Sequence, residues 1–167
     1  MDNFLDSLEY SIFTQNWYAV LFISLSLPDI CGKIDSPTLN SKPRTINWFN
    51  KYLLPRYTIS VGPTDIKEIL LSGEDFYALR CAYLHEGSDV LTGQKIQKAV
   101  EDICFTIPNS ARPSHHRNRF GETMQLQIDI FAREILNAVR IWLHDIKEDQ
   151  DKTERVNNLM KLKIINL

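Results

Sequence analysis

The sequence predicts a mainly α fold: a helical bundle in one domain spanning residues 1–167, with a minor two-stranded β element. Three observations predict it. Apolar residues recur at helical spacing in two long stretches, one near each end of the chain. Between them lies a segment opened by a helix-capping pattern and apolar nearly all round, as a buried helix is. Alternation at the strand period is confined to two short runs. With 167 residues, 44% apolar and 24% charged, the chain can bury a core without metal or disulfide support. Those values also exclude a wholly disordered chain.

Taken in order, Asn3–Ser26 reads as one long helix on Phe4, Leu5, Leu8, Ile12 and Phe13, then Trp17, Val20, Leu21 and Leu25, with Pro28 as its stop. Cys31–Arg44, with Gly32, Pro37 and Pro43, reads as an exposed loop. Ile46–Leu54 is an amphipathic helix ended by Pro55, and Pro63-Thr64-Asp65 opens a short helix over Ile66–Leu71. Ser72 and Asp75 form a Ser-x-x-Asp capping box, starting a helix to about Glu86 with Gly87 as its C′ residue. Ala99–Ile107 alternates through Ile103, Phe105 and Ile107, and Met124–Ile128 alternates likewise; the two are expected to pair as a hairpin-like addition. A long helix covers Ile128–Lys147, and Lys152–Lys163 forms a terminal helix, so that 150–167 is a partly exposed tail. Trp17, Trp48 and Trp142 are read as core anchors.

Charge and cysteine usage narrow the function classes. A formal net charge of −2 gives no global field for coating nucleic acid, so any such contact needs a local patch. The three cysteines, Cys31, Cys81 and Cys104, form no CxxC pair, which argues against a disulfide framework or a thiolate zinc site, and no metal or other cofactor is expected. Asp2, Asp6 and Glu9 stand where a signal peptide would be cationic, and the apolar run Trp17–Leu27 is too short for a bilayer. A cytoplasmic protein without a membrane partner is expected.

In the central segment, Phe76-Tyr77-Ala78-Leu79-Arg80-Cys81-Ala82-Tyr83-Leu84-His85, only Arg80 and His85 break the apolar character. A buried arginine needs a partner or a cleft. Five residues along a helix give about 7.5 Å of rise and roughly 140° of rotation, so the two share a cleft only if the long arginine leans toward the ring. His85 lies in the last turn, where helix carbonyls favour positive charge. An imidazole there can give and take protons, and a guanidinium fork suits phosphate. Together they hold the parts for metal-free RNA cleavage: His85 for the proton of the 2′-hydroxyl or of the leaving oxygen, Arg80 for the charge on the phosphorane. The structural alternative is an Arg and a His bonded to backbone carbonyls or to a carboxylate such as Asp75.

The densest basic segment, Ala111–Phe120, carries Arg112, His115, His116, Arg117 and Arg119. It is either a phosphate-holding strip for RNA or a solvated loop between strand and helix.

The stretch Ser72-Gly-Glu-Asp-Phe-Tyr-Ala-Leu-Arg80-Cys-Ala-Tyr-Leu-His85-Glu-Gly87 resembles the HEPN superfamily in a bacterial Leu-Arg-Cys-x-x-Leu-His-x-Gly form. The resemblance implies a helical bundle whose Arg-x4-His motif, here Arg80 and His85, acts in a metal-independent endoribonuclease. It implies a homodimer with the two motifs facing each other. It also implies a toxin or antiviral role, often beside an antitoxin protein. Cys81 departs from the polar residue that active members commonly carry after the arginine. The alternative is therefore a non-catalytic HEPN-like dimeric domain that binds a nucleotide, RNA or a protein partner.

Overall fold

A computed structural model describes residues 1–63, 65–86, 102–109, 114–121 and 123–162. The fold is mostly helical, with two small sheets. Its elements are α1 (Asp2–Phe13), α2 (Trp17–Asp35), α3 (Ser41–Tyr52), β1 (Thr58–Val61), β2 (Ile66–Ile69), α4 (Gly73–Cys81), β3 (Ile103–Thr106), β4 (Asn118–Phe120), β5 (Thr123–Gln127), α5 (Ile128–Asp145) and α6 (Gln150–Asn157).

The expected Asn3–Ser26 helix is two helices. Gln15 takes a left-handed φ of 56°, and the Asn16 side chain then accepts the Ala19 amide at 3.3 Å as the cap of a new helix. Pro28 does not stop α2 but sits buried inside it. The helix gives up one backbone bond there, while Leu25, Leu27, Cys31 and Ile34 continue its buried face. Gly32 is a packing residue rather than a loop signal: a Cβ on it would meet the Arg44 carbonyl oxygen at 2.6 Å, so α2 and α3 cross there at close approach. The expected loop over Cys31–Arg44 shrinks to the link between Asp35 and Ser41, and Pro43 lies in the first turn of α3, where its missing N–H is harmless.

α3 ends at Tyr52, just before Pro55 as expected, and a 3-10 turn follows over Leu54–Tyr57. The expected helix over Ile66–Leu71 is instead the second strand of a hairpin, β1 pairing antiparallel with β2 from Thr58↔Ile69 to Val61↔Ile66. Gly62 and Asp65, both at positive φ, turn the chain, and the β-branched Thr58, Ile59 and Val61 favour the strand. The second sheet, in the order β3-β5-β4, has three strands rather than two. β3 runs parallel to β5, from Ile103↔Met124 to Thr106↔Gln127, so the two are not a hairpin; β4 supplies the antiparallel partner.

The Ser72–Asp75 capping box forms as expected. The Ser72 hydroxyl accepts the Asp75 amide at 3.1 Å, and the Asp75 carboxylate accepts the Ser72 amide at 3.1 Å. α4 widens into a π turn over Ala82–Glu86; Gly87 lies outside the described residues. β5 passes without a loop into α5, which buries Ile128, Phe131, Ile135, Val139 and Trp142. α6 is shorter than expected and begins at Gln150.

The core is one cluster. The Phe49 ring stacks on Phe76 at 4.8 Å, and Phe76 meets Phe131 at 6.4 Å, joining α3, α4 and α5. Each such ring, fully buried, contributes about 1.5–3 kcal/mol. α2, with an 18-residue stretch of mean hydropathy 1.3, is long and apolar enough to cross a membrane by length and composition, unlike the shorter run read from the sequence. Here it packs against α3 and α5 as the central helix of the bundle.

Candidate functional site

α4 brings Arg80 to a carboxylate that its own helix does not supply. The capping box orders the start of α4, and Gly73 lets that start sit against α3, with Ile46 and Asn50 close by. One helix surface further on, the Arg80 Nη2 donates to Asp29 Oδ2 of α2 at 3.0 Å. Asp29 is buried and saturated. Arg44 meets it side-on, Nε to Oδ1 at 2.7 Å and Nη2 to Oδ2 at 3.1 Å, while the Ser41 and Thr45 hydroxyls each donate to Oδ1 at 2.9 Å. Burial pushes the Asp29 carboxyl up. The Arg44 and Ser41 bonds, the Arg80 charge and the Thr45 bond outweigh it and hold the group below its ordinary range, so Asp29 is a carboxylate at neutral pH.

Arg80 is held by one amino group. Its side chain is 13% exposed, its Nε is buried without a partner, and its Nη1 makes no hydrogen bond to any described residue. Burial and the contact with the Cys81 thiol raise the Tyr77 phenol above its usual range, against the Arg80 charge and a Ser41 bond, so a neutral hydroxyl borders the cluster. His85 lies on the π turn directly after α4. A π turn closes i to i+5 rather than i to i+4, which reduces the angular gap between positions 80 and 85 below its α-helical value. The His85 side chain lies outside the described residues. The structural alternative of a carboxylate partner holds for Arg80, but the carboxylate is Asp29 rather than Asp75, whose Oδ2 serves the cap.

The basic segment forms a different cluster. The His116 ring, its side chain 4% exposed, lies against Glu134 of α5, Nε2 to Oε2 at 3.2 Å, and the Tyr57 hydroxyl donates to the same oxygen at 2.5 Å. Arg117 donates to the Arg56 carbonyl at 2.6 Å and stands 3.9 Å from Glu134, while Arg119 pairs with Glu68 of β2 at 3.6 Å. The His115 amide donates to the Gln127 side chain. Arg112 lies outside the described residues. His116 is therefore turned inward, while Arg117 and Arg119 stay partly exposed beside Glu134 and Glu68. Burial raises the Glu134 carboxyl, but the His116 and Tyr57 bonds and the charges of His116 and Arg117 bring it below its ordinary value. His116 Nδ1 is buried and has no partner among the described residues.

The structure thus joins Arg80 with Asp29 and Arg44, and His116 with Glu134 and Tyr57. Sequence reading missed Asp29, Arg44, Glu134 and Tyr57. One signal was present: Asp29 and Glu134 are lone acids on otherwise apolar helix faces, the natural counterparts of a lone arginine and histidine elsewhere. Among the described residues no group of three or more His, Cys, Asp or Glu side chains can hold a metal ion. Comparison with known protein families, with curated proteins and with solved structures finds no match to this chain.

Proposed function

We propose that this chain is a HEPN-type, metal-independent endoribonuclease acting as a homodimer, with Arg80 and His85 as its catalytic pair. The observation that supports the reading is a guanidinium fixed by one amino group to Asp29 at the end of the helix whose next turn carries His85. In this reading the 2′-hydroxyl loses its proton to His85 and attacks the adjacent phosphorus. The bond to the 5′-oxygen breaks, that oxygen takes up a proton, and a 2′,3′-cyclic phosphate remains. Arg80 steadies the charge on the phosphorane with the donors Asp29 leaves unused. The biological role that fits is a cytoplasmic toxin or antiviral effector restrained by an antitoxin protein.

Two observations favour a second reading, a HEPN-like dimeric domain that binds a nucleotide, RNA or a protein partner without cutting. Arg80 is mostly buried and already paired, and Cys81 stands where active members carry a polar side chain. The two readings separate on a mixed RNA pool with chelator present. The nuclease reading expects cleavage to cyclic-phosphate ends by the wild type and none by His85→Ala, with helical circular dichroism unchanged. Full activity in His85→Ala removes His85 from the mechanism. RNA retained but uncut by the wild type selects the binding reading.

A further inference from the structure

The Arg80 site extends beyond the helix that carries its motif. Among the described residues one carboxylate faces two guanidiniums, so the cluster of Asp29, Arg44 and Arg80 carries one positive charge in excess, largely removed from water. An uncompensated charge in such a place favours an anionic partner. The two arginines are used differently. Arg44 spends Nε and Nη2 on Asp29 and turns Nη1 toward the Leu39 carbonyl at 3.4 Å. Among the described residues Arg80 spends Nη2 alone. Because a guanidinium is planar, that bond narrows the orientations of the remaining Arg80 donors to planes that contain the Nη2–Oδ2 direction. Ser41 and Thr45 complete Asp29 from the first turns of α3, so its geometry does not depend on Arg80.

We infer that Asp29 is the positioning residue of the Arg80 site and Arg44 its second cation, and that the site takes a single phosphodiester of an RNA strand. The inference deepens the functional reading above and rests on it for the class of substrate. One excess positive charge matches the one negative charge of a phosphodiester. Asp29 acts through Arg80: it narrows the orientations of the fork and prevents the two arginines from repelling each other apart. Arg44 supplies the charge that remains once Asp29 is neutralised.

The test uses the full chain with arginine side chains labelled with nitrogen-15 and an RNA oligomer substituted with 2′-deoxyribose, which lacks the attacking hydroxyl. The Arg80 Nε signal is expected to shift on titration with this oligomer. Arg44→Gln leaves a balanced Asp29–Arg80 pair and so keeps the fold. It is expected to weaken binding by about tenfold, the worth of a charge-assisted bond. It should also flatten the salt dependence of affinity by about 0.7 log units per decade, one phosphate contact on a single strand. Asp29→Glu, which restores the carboxylate, is expected to retain the Arg80 shift, and Asp29→Asn to lose it.

Wild-type affinity and salt slope in Arg44→Gln overturn the inference, as does an Arg80 Nε signal that stays still in the wild type. Inorganic phosphate shifting that signal as much as the oligomer at equal concentration also overturns it, since the site then reads a free anion. Binding with the expected shifts but no cutting of the all-ribose strand supports the inference and sinks the nuclease reading. Cutting with a silent Arg80 signal does the reverse.

Discussion

Two carboxylates sit inside apolar helices of this protein, and they are kept there in different ways. Asp29 of α2 is held by two arginines and two hydroxyls from α3 and α4. Glu134 of α5 is held by a tyrosine and a histidine, with an arginine at longer range, from the turn after α3 and the segment before β4. Both lie below their ordinary pKa despite burial. The difference is in what their partners can do when left alone. An arginine cannot shed its proton, whereas a histidine can become neutral and a tyrosine already is. The Asp29 cluster is therefore an electrostatic clamp of permanent cations, whereas the close partners of Glu134 are a phenol and an imidazole, with the Arg117 cation further off.

The contrast is broken most easily by deleting each carboxylate. Asp29→Ala strands two guanidiniums out of water and is expected to cost about 3–5 kcal/mol in urea denaturation. Glu134→Ala strands a tyrosine and a histidine that can be neutral and an arginine that still reaches solvent, and about 1–3 kcal/mol is expected by the same measurement. Equal losses in the two variants would erase the distinction. Tyr57→Phe sharpens it further: removing one buried donor to Glu134 while His116 remains is expected to cost about 1–2 kcal/mol.

The smallest effect is on acid stability. Both folded pKa values are depressed, so the stabilisation is fully present above the ordinary values of 4.5 for Glu134 and 3.8 for Asp29. It is lost as pH falls below those values and through the lower folded ones. Urea midpoints followed from neutral pH to pH 2 should drop less steeply for Glu134→Gln than for the wild type, with the divergence starting at the Glu134 window before that of Asp29. Parallel curves would show that Glu134 is not linked to folding.

Features written locally were legible in the sequence. The Ser72–Asp75 cap, the long C-terminal helix from Ile128, the strand periods at Ile103–Phe105 and Met124–Leu126, and the end of α3 before Pro55 each depend on neighbours a few residues away. Pro28 and Gly32 misled because their usual meaning is local, whereas here tertiary packing overrides it: one is tolerated in a buried helix and the other lets two helices touch. Ile66–Leu71 reads as helix in sequence, although its first four residues form a strand, because so short a run carries too little periodicity to separate the two states. Arg80 stood out as an isolated cation, but its partner lies 51 residues away, and Tyr57 lies 77 residues from Glu134. No spacing rule spans such gaps, so the chemistry-bearing residues were visible singly and their association was not.

The packing of α2 against α5 also sets a schedule for the newborn chain. The Trp142 indole donates to Asp35 across 107 residues of sequence. At ribosomal speeds of about 5–20 residues per second, the central helix waits roughly 5–20 s for the element that covers it. Through that interval the side of α2 that α5 will cover stays bare although α1 and α3 are already made, so polypeptides arrested ahead of Ile128 should be bound by chaperones or aggregate, while full-length ones bury it at once.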